Sequence, residues 1–227
     1  MKRYFMCGRF TITITKDNLD KFLKKEYNIT HSKTFNVPNY NVGPGQDIIS
    51  IIHDGVHHRV GYLKWGFVPP IKIKTLHLIN ARAETLFELP SYKESAQKRR
   101  CVILADSFFE WAIQPYRIKT NDELFKMAGI YNTYIDEVGK SVSTVLIITT
   151  KAAPSIAHIH ERMPVILNRE SEKIWLNKHA TIHELKSVLK PFSGQITFYP
   201  VSHRVNSIYN NDSDLIKEVD KQKDLFD

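Results

Sequence analysis

Strand-like runs recur along this chain without a strict alternation of strand and helix, and that rhythm limits the folds it can reach. Residues 10 to 15 alternate through Ile12 and Ile14. Ile48 to His53 and Arg59 to Leu63 flank a turn signal at Asp54-Gly55. Cys101 to Ala105 is short, apolar and β-branched, the pattern of a buried strand. Phe108 to Ala112, Phe125 to Tyr134, Val142 to Thr149 and Ile196 to Val201 read as further strands. Helical periodicity is strongest over 17–28, where Leu19, Phe22, Leu23 and Tyr27 share a face. It returns in part of 84–99, where Pro90 interrupts, in a short piece over Ala152 to Ala157, and over 168–190 as two helices broken near His179. Pro38 and Gly43-Pro44-Gly45 mark a loop, and Trp65-Gly66-Phe67-Val68-Pro69-Pro70 an aromatic turn. No linker or repeat divides the chain. The pattern predicts a single α+β domain on a mixed or mostly antiparallel sheet, with Asp212 to Asp227 as a loose polar tail.

At 227 residues the length suits one large domain or two small ones. The 32 Lys and Arg outnumber the 24 Asp and Glu, a formal net charge of +8. Such a surplus suits a polyanion such as nucleic acid as well as it suits a merely solvated basic surface. Of the basic clusters, Lys21 to Lys25 reads as the solvated face of a helix, and Lys98-Arg99-Arg100 as a candidate groove edge. Hydrophobic residues at 42% and charged residues at 25% exclude collagenous and wholly disordered classes. No apolar run reaches the roughly 18 residues of a membrane span. Met1 to Met6 is basic but has no long apolar stretch behind it, so no secretory signal is expected. Two cysteines, Cys7 and Cys101, are too few for a disulfide scaffold or a cysteine-built zinc site, which points to a reduced, cytoplasmic protein. With no phosphate-binding glycine loop, paired metal-ligand spacing or nucleophile elbow, neither a metal nor a nucleotide cofactor is expected.

Individual residues carry chemistry worth weighing. Cys7 is followed by Gly8, which leaves the backbone accessible, and by Arg9, whose charge would favour a thiolate. The plainer reading is a buried structural cysteine. Met6 changes the balance, because a chain begun there and trimmed of Met would carry Cys7 at its N-terminus. An α-amine has a pKa near 8, well below that of lysine. Its neutral form attacks aldehydes, and the adjacent thiol can close the imine into a thiazolidine. His160, in Ile159-His160-Glu161-Arg162-Met163-Pro164, is suited to moving protons near neutrality or to a salt-linked loop. Asn80 and Arg82 are two apart, so on an extended segment both face one way, an amide beside a guanidinium. A capped helix start with a surface arginine fits that spacing equally. Glu110 sits in Phe108-Phe109-Glu110-Trp111, where aromatic neighbours would desolvate it and raise its pKa. An exposed Glu on an alternating strand is the plainer alternative. Trp65, Phe67 and Trp111 are either base-stacking platforms or core. Cys101 reads as core.

In chain order these segments carry more weight than they do singly. Cys7-Gly8-Arg9-Phe10, Tyr40-Asn41-Val42-Gly43-Pro44, Trp65-Gly66 and Asn80-Ala81-Arg82-Ala83-Glu84-Thr85 are followed by Arg100-Cys101, Ala105-Asp106 and Phe108-Phe109-Glu110-Trp111. His160-Glu161-Arg162-Met163-Pro164 and Pro200-Val201-Ser202 complete the series. This order resembles the SOS-response-associated peptidase (SRAP) family from Cys7 to about Asn211.

The resemblance implies a β-rich α+β domain over residues 7–211, with a barrel-like core, a few peripheral helices and a basic groove. It implies a DNA-damage protein that binds single-stranded DNA at abasic sites, without metal or other cofactor. Such a protein links to the opened sugar through an N-terminal cysteine and has self-processing and abasic-site lyase activities. It would be cytoplasmic and join the nucleoid when bound to DNA; nothing suggests more than a monomer. Carried over by position, Cys7 is the nucleophile, Asn80 positions the cysteine backbone and the sugar, and Glu110 is the acid/base. His160 handles protons. Arg9, Arg82 and Arg162 contact phosphates, and Trp65 stacks or wedges. The chain departs from the family pattern in two places. Residues 1–6 precede Cys7, as an extension to be removed or a start upstream of the real one. Pro69-Pro70-Ile71 also stands where many members carry a further Trp. Two other classes compete: a non-covalent single-strand-binding module, and a thiol peptidase acting on other proteins through Cys7 and His160.

Overall fold

A computed structural model describes residues 7–30, 34–70 and 77–220 of the chain. The extension 1–6, Ile71 and the end of the tail, 221–227, lie outside the described residues. The elements run β1 (Phe10–Ile12), α1 (Lys16–Tyr27), β2 (Asn39–Val42), β3 (Asp47–His53), β4 (His58–Trp65) and β5 (Asn80–Arg82). They continue with α2 (Pro90–Lys98), β6 (Arg100–Ala105), β7 (Ser107–Trp111), β8 (Pro115–Thr120), β9 (Phe125–Ile135) and β10 (Ser141–Lys151). The last are β11 (Arg162–Pro164), β12 (Ile166–Leu167), α3 (Arg169–Leu176), α4 (Ile182–Val188) and β13 (Ile196–Pro200).

The fold is α+β, built on a closed five-strand barrel. Strand β10 pairs in parallel with β4, then β4 with β3, β3 with β6, β6 with β9 and β9 back with β10, all antiparallel. Closure removes the free edges that an open sheet would expose. A second sheet, ordered β13-β8-β7-β1-β2, leans on the barrel. The sequence accounts for the placement. Strand β6 lies between β3 and β9, with α2 and α3 packed over it, so both of its faces are buried and Arg100–Ala105 reads as a nearly continuous apolar run. Helix α1 buries Leu19, Leu23 and Tyr27. Thr15 caps its start, accepting from the Asn18 N–H, and Asn28 ends it in the left-handed conformation. Lys21, Lys24 and Lys25 are left on its solvated face.

Three expectations are corrected. Pro90 does not interrupt a helix; it begins α2, at a position where its missing N–H has no partner to lose. Arg100 is not a groove-edge cation. It is buried, and its guanidinium donates to the carbonyls of Ala96, Gln97, Trp175 and Asn177 around the C-terminal ends of α2 and α3. The segment after Asn211 is not a loose tail through its described part. Leu215 is buried, Val219 N donates to Pro200 O at 3.0 Å, and Glu218 bridges to Val201.

Gly129 marks a close approach in the barrel, opposite Cys101 on β6 and Ile147 on β10. A Cβ there would stand 2.7 Å from Ile103 Cδ1, 2.9 Å from Leu146 O and 3.0 Å from Cys101 Sγ. Part of that clash is with backbone, which cannot rotate away. Gly129→Ala is expected to destabilise the fold by about 1–3 kcal/mol, read as a lower urea midpoint at unchanged slope.

Candidate active site around Cys7

The segment Cys7–Arg9 enters β1, which runs antiparallel to β7 with Phe10 opposite Phe108. The Phe109 N–H donates to Arg9 O at 2.9 Å, so the pairing extends toward Cys7. Side chains alternate along β7, so Glu110 shares a face with Phe108, and Phe109 points the other way into a small second core with Val201 and Val205. Glu110 is 2% exposed, and its Oε1 accepts the Cys7 backbone N–H at 2.8 Å. Burial raises the Glu110 carboxyl to about 7, although nearby His160 and the hydrogen bonds from Cys7 pull the other way. Cys7 is 3% exposed and holds a positive φ of 47°, a left-handed conformation that costs a non-glycine residue about 1–2 kcal/mol.

The thiol is held protonated. Burial pushes its pKa well up, the Glu110 charge and hydrogen bond push further, and Arg162 opposes them. Arg9 therefore does not favour a thiolate, as its sequence position suggested. Its Nη1 donates to Asn41 Oδ1 at 2.8 Å and to Val205 O at 2.7 Å.

The barrel supplies the opposite side of the site. Strand β5 lies parallel to β10, with Asn80 opposite Ile147 and Arg82 opposite Thr149. The strand is extended, so Asn80 and Arg82 face one way while Ala81 is buried between them. Arg82 is exposed and makes no hydrogen bond or ion pair among the described residues. On β11, buried Arg162 meets Glu84 bidentately, at 2.7 and 2.8 Å, and donates to Thr149 O at 2.7 Å. That commitment corrects its expected role: Arg162 is a clamp between β11, β10 and the turn after β5, not a free phosphate contact. Its backbone N–H donates to His160 Nδ1 at 3.0 Å. The Arg162 carbonyl oxygen lies 3.3 Å from the same nitrogen, so both backbone groups of Arg162 face Nδ1.

The structure thus brings Cys7, Glu110, His160 and Arg162 within electrostatic reach of one another. Trp65 is not part of this group. It is 0% exposed, packs against Phe10 with ring centroids 5.4 Å apart, and donates its Nε1–H to Ile79 O at 2.9 Å. Its ring is core and has no face open to a base, which corrects the stacking role. Two residues that the sequence did not single out do much of the positioning. Glu84 orients Arg162, and Asn41 accepts from Arg9 while donating to Ser207 O and Asn210 O. Both lie inside the quoted motifs, but Glu84's partner is 78 residues away and Asn41's are 32, 166 and 169 away, so no local pattern reveals them. Among the described residues, no group of three or more His, Cys, Asp or Glu could hold a metal ion. No helix among them is long and apolar enough to cross a membrane. A concavity of about 540 Å³ between α1 and β9 contains none of these site residues.

Residues 6–208 match the profile of the SOS response associated peptidase (SRAP) family. The chain is 42% identical over 231 residues to the abasic site processing protein YoqW of Bacillus subtilis (strain 168), covering 93% of this chain and 99% of that protein. It is 28% identical over 225 residues to the abasic site processing protein YedK of Escherichia coli (strain K12), covering 94% and 100%. A crystal structure of a protein from Bacteroides thetaiotaomicron matches with a TM-score of 0.80 at 26% identity, covering 94% of this chain and 100% of that one.

The raised carboxyl pKa makes stability depend on pH. Below the ordinary value of 4.5, Glu110 is protonated in both folded and unfolded chains, and no penalty arises. Between 4.5 and about 7 the unfolded chain gives up the proton and the folded one holds it, so this contribution falls as pH rises. Glu110→Gln keeps an acceptor for the Cys7 N–H without the charge. Urea unfolding is expected to show the variant gaining on wild type by about 3 kcal/mol between a pH below 4.5 and one above about 7. Parallel curves for the two proteins would show that the carboxyl is not raised.

Proposed function

The chain belongs to the SOS response associated peptidase family, and from that premise we propose that it captures abasic sites in single-stranded DNA as a covalent thiazolidine on Cys7. The observation that carries this reading is the 2.8 Å hydrogen bond from Cys7 N to Glu110 Oε1, made by a carboxyl that titrates near neutrality. In a chain that begins at Cys7, that nitrogen is the α-amine. Glu110 then sits where a base must be to take its proton, and also within hydrogen-bond reach of the thiol.

The chemistry balances without a cofactor. The neutral amine adds to the sugar aldehyde, and the carbinolamine loses water after protonation, with Glu110 or His160 as donor. The Cys7 thiol adds to the resulting imine carbon, and its proton passes by way of Glu110 to the nitrogen. The sum is aldehyde plus aminothiol giving thiazolidine plus water. The imine also acidifies the neighbouring C–H of the sugar, which opens β-elimination of the 3′ phosphate. Ring closure by the thiol suppresses that lyase step.

Exposure of the amine uses the same pair. Cys7 Sγ attacks the Met6 carbonyl, Glu110 protonates the departing Cys7 nitrogen, and water hydrolyses the thioester. In this reading Asn80, on β5, orients the sugar and exposed Arg82, two residues on, meets a phosphate.

The test uses a chain shown by mass to begin at Cys7 and a single-stranded oligonucleotide with one abasic site, resolved on a denaturing gel. A covalent band is expected, lost with Cys7→Ser and absent with an intact oligonucleotide. The capture rate should rise with pH through a midpoint near 7 as Glu110 ionises. Glu110→Gln should lower the rate about 10²- to 10⁴-fold and remove that limb, leaving only the rise set by the α-amine near pH 8. No band from such a chain would overturn the mechanism; DNA binding that persists without a band would leave the non-covalent module.

A further inference from the structure

Trp65 is buried, so a base beside the captured sugar must be held by another group. Among the described aromatic residues the most exposed is Tyr209, 91% exposed and next to half-exposed Ile208. A single exposed apolar residue on a loose loop would mean little. This loop is clamped at both ends. Asn41 Nδ2 donates to Ser207 O at 2.9 Å and to Asn210 O at 2.8 Å. Asn210 Nδ2 donates to Arg204 O at 2.7 Å, and Tyr40 N donates to Asn211 Oδ1 at 2.7 Å. The backbone is fixed, while the Tyr209 ring has no aromatic or hydrogen-bonding partner among the described residues.

The loop is also tied to the chemistry. Arg9, two residues from Cys7, donates to both Asn41 and Val205 O. Trp111, next to Glu110, donates from Nε1 to Asn206 Oδ1 at 2.7 Å. A Cβ on Gly43 would stand 3.1 Å from Ile208 Cγ2 and 3.4 Å from Arg9 Nε, so the Gly43-Pro44 turn, Arg9 and this loop converge. Arg9 faces no carboxylate among the described residues, and its buried Nε–H has no acceptor there. A cation without a counter-charge, clamped through Asn41 to the loop that carries an open aromatic ring, complements one kind of occupant best: a nucleotide, phosphate toward the guanidinium and base toward the ring.

We propose that Tyr209 is a stacking platform for the base adjacent to the abasic sugar, held in place by the Asn41–Arg9 clamp. This rests on the single-stranded DNA reading above and adds a residue that sets which strands bind well. A ring held by a fixed backbone loses little entropy on binding and accepts any base, so the platform confers affinity rather than sequence preference.

The experiment uses an oligonucleotide with 2-aminopurine beside a tetrahydrofuran abasic analogue, which binds but cannot form an imine. Wild type should quench the 2-aminopurine. Tyr209→Phe should retain the quench and the affinity, and Tyr209→Ala should lose the quench and weaken binding about tenfold. With the flanking base also removed from the oligonucleotide, the three proteins should bind alike. Equal quench and affinity for wild type and Tyr209→Ala would overturn the proposal. So would a change confined to sedimentation, which would make the ring a contact between copies of the chain. A parallel denaturing gel with a natural abasic site keeps the two readings apart. A covalent band without a Tyr209 effect defeats this inference alone, and a Tyr209-dependent quench without any band defeats the covalent mechanism alone.

Discussion

Strand β10 is the member on which the rest of the structure hangs. Over eleven residues it hydrogen-bonds to four strands, changing partners from β9 to β11 and from β4 to β5 along its length. Its first half closes the barrel. Its second half, beyond the closure, carries β5 with Asn80 and Arg82 and β11 with Arg162, both registered on Thr149 or its neighbours. One strand thus spends its hydrogen-bonding capacity first on the core and then on the site. The Glu84–Arg162 pair ties the far ends together, with an oxygen of Thr149 completing the guanidinium's contacts. A clamp of this kind is suited to holding His160, because the Arg162 backbone that meets the imidazole Nδ1 cannot move without breaking it.

Against that frame, the Cys7 end is costly. A left-handed cysteine and a buried carboxyl held near neutrality both work against stability. They are affordable because the surrounding strands leave them no alternative: β1 is pinned by β2 and β7, and a buried network of Thr11, Asp106, Ser107 and Arg117 joins β1 to β7 and β8. The same desolvation that penalises the Glu110 charge places its proton affinity where both donation and acceptance are easy at neutral pH.

Much of this was legible before folding. The apolar run Cys101 to Ala105, the face of Leu19, Leu23 and Tyr27, and the break near His179 each report a local periodicity that tertiary packing did not override. Strands β2, β5, β8, β11 and β12 were not separable in that way, since they are short or polar. Strand β8 contains Pro115, Arg117 and Lys119, and buries Arg117 only because Ser107 and Tyr199 reach it from other strands. The misread residues share a cause. Residue type alone marks Trp65, Arg100 and Arg162 as a ring or a cation suited to DNA, whereas burial and distant acceptors decide what each does.

The sequence by itself determined the α+β class, the principal strands and helices, and the residue types from which the site is made. These follow from spacing along the chain, and hydrophobic periodicity and motif order are properties of neighbours. Tertiary structure alone decided the closure of the barrel, the pairing of Cys7 with Glu110 across 103 positions, and the exchange of Arg162 from phosphate contact to clamp. It also left Tyr209 outside and Trp65 within. Those outcomes depend on which groups lose their water and which partner replaces it, and desolvation is set by the packed molecule rather than by the order of its residues.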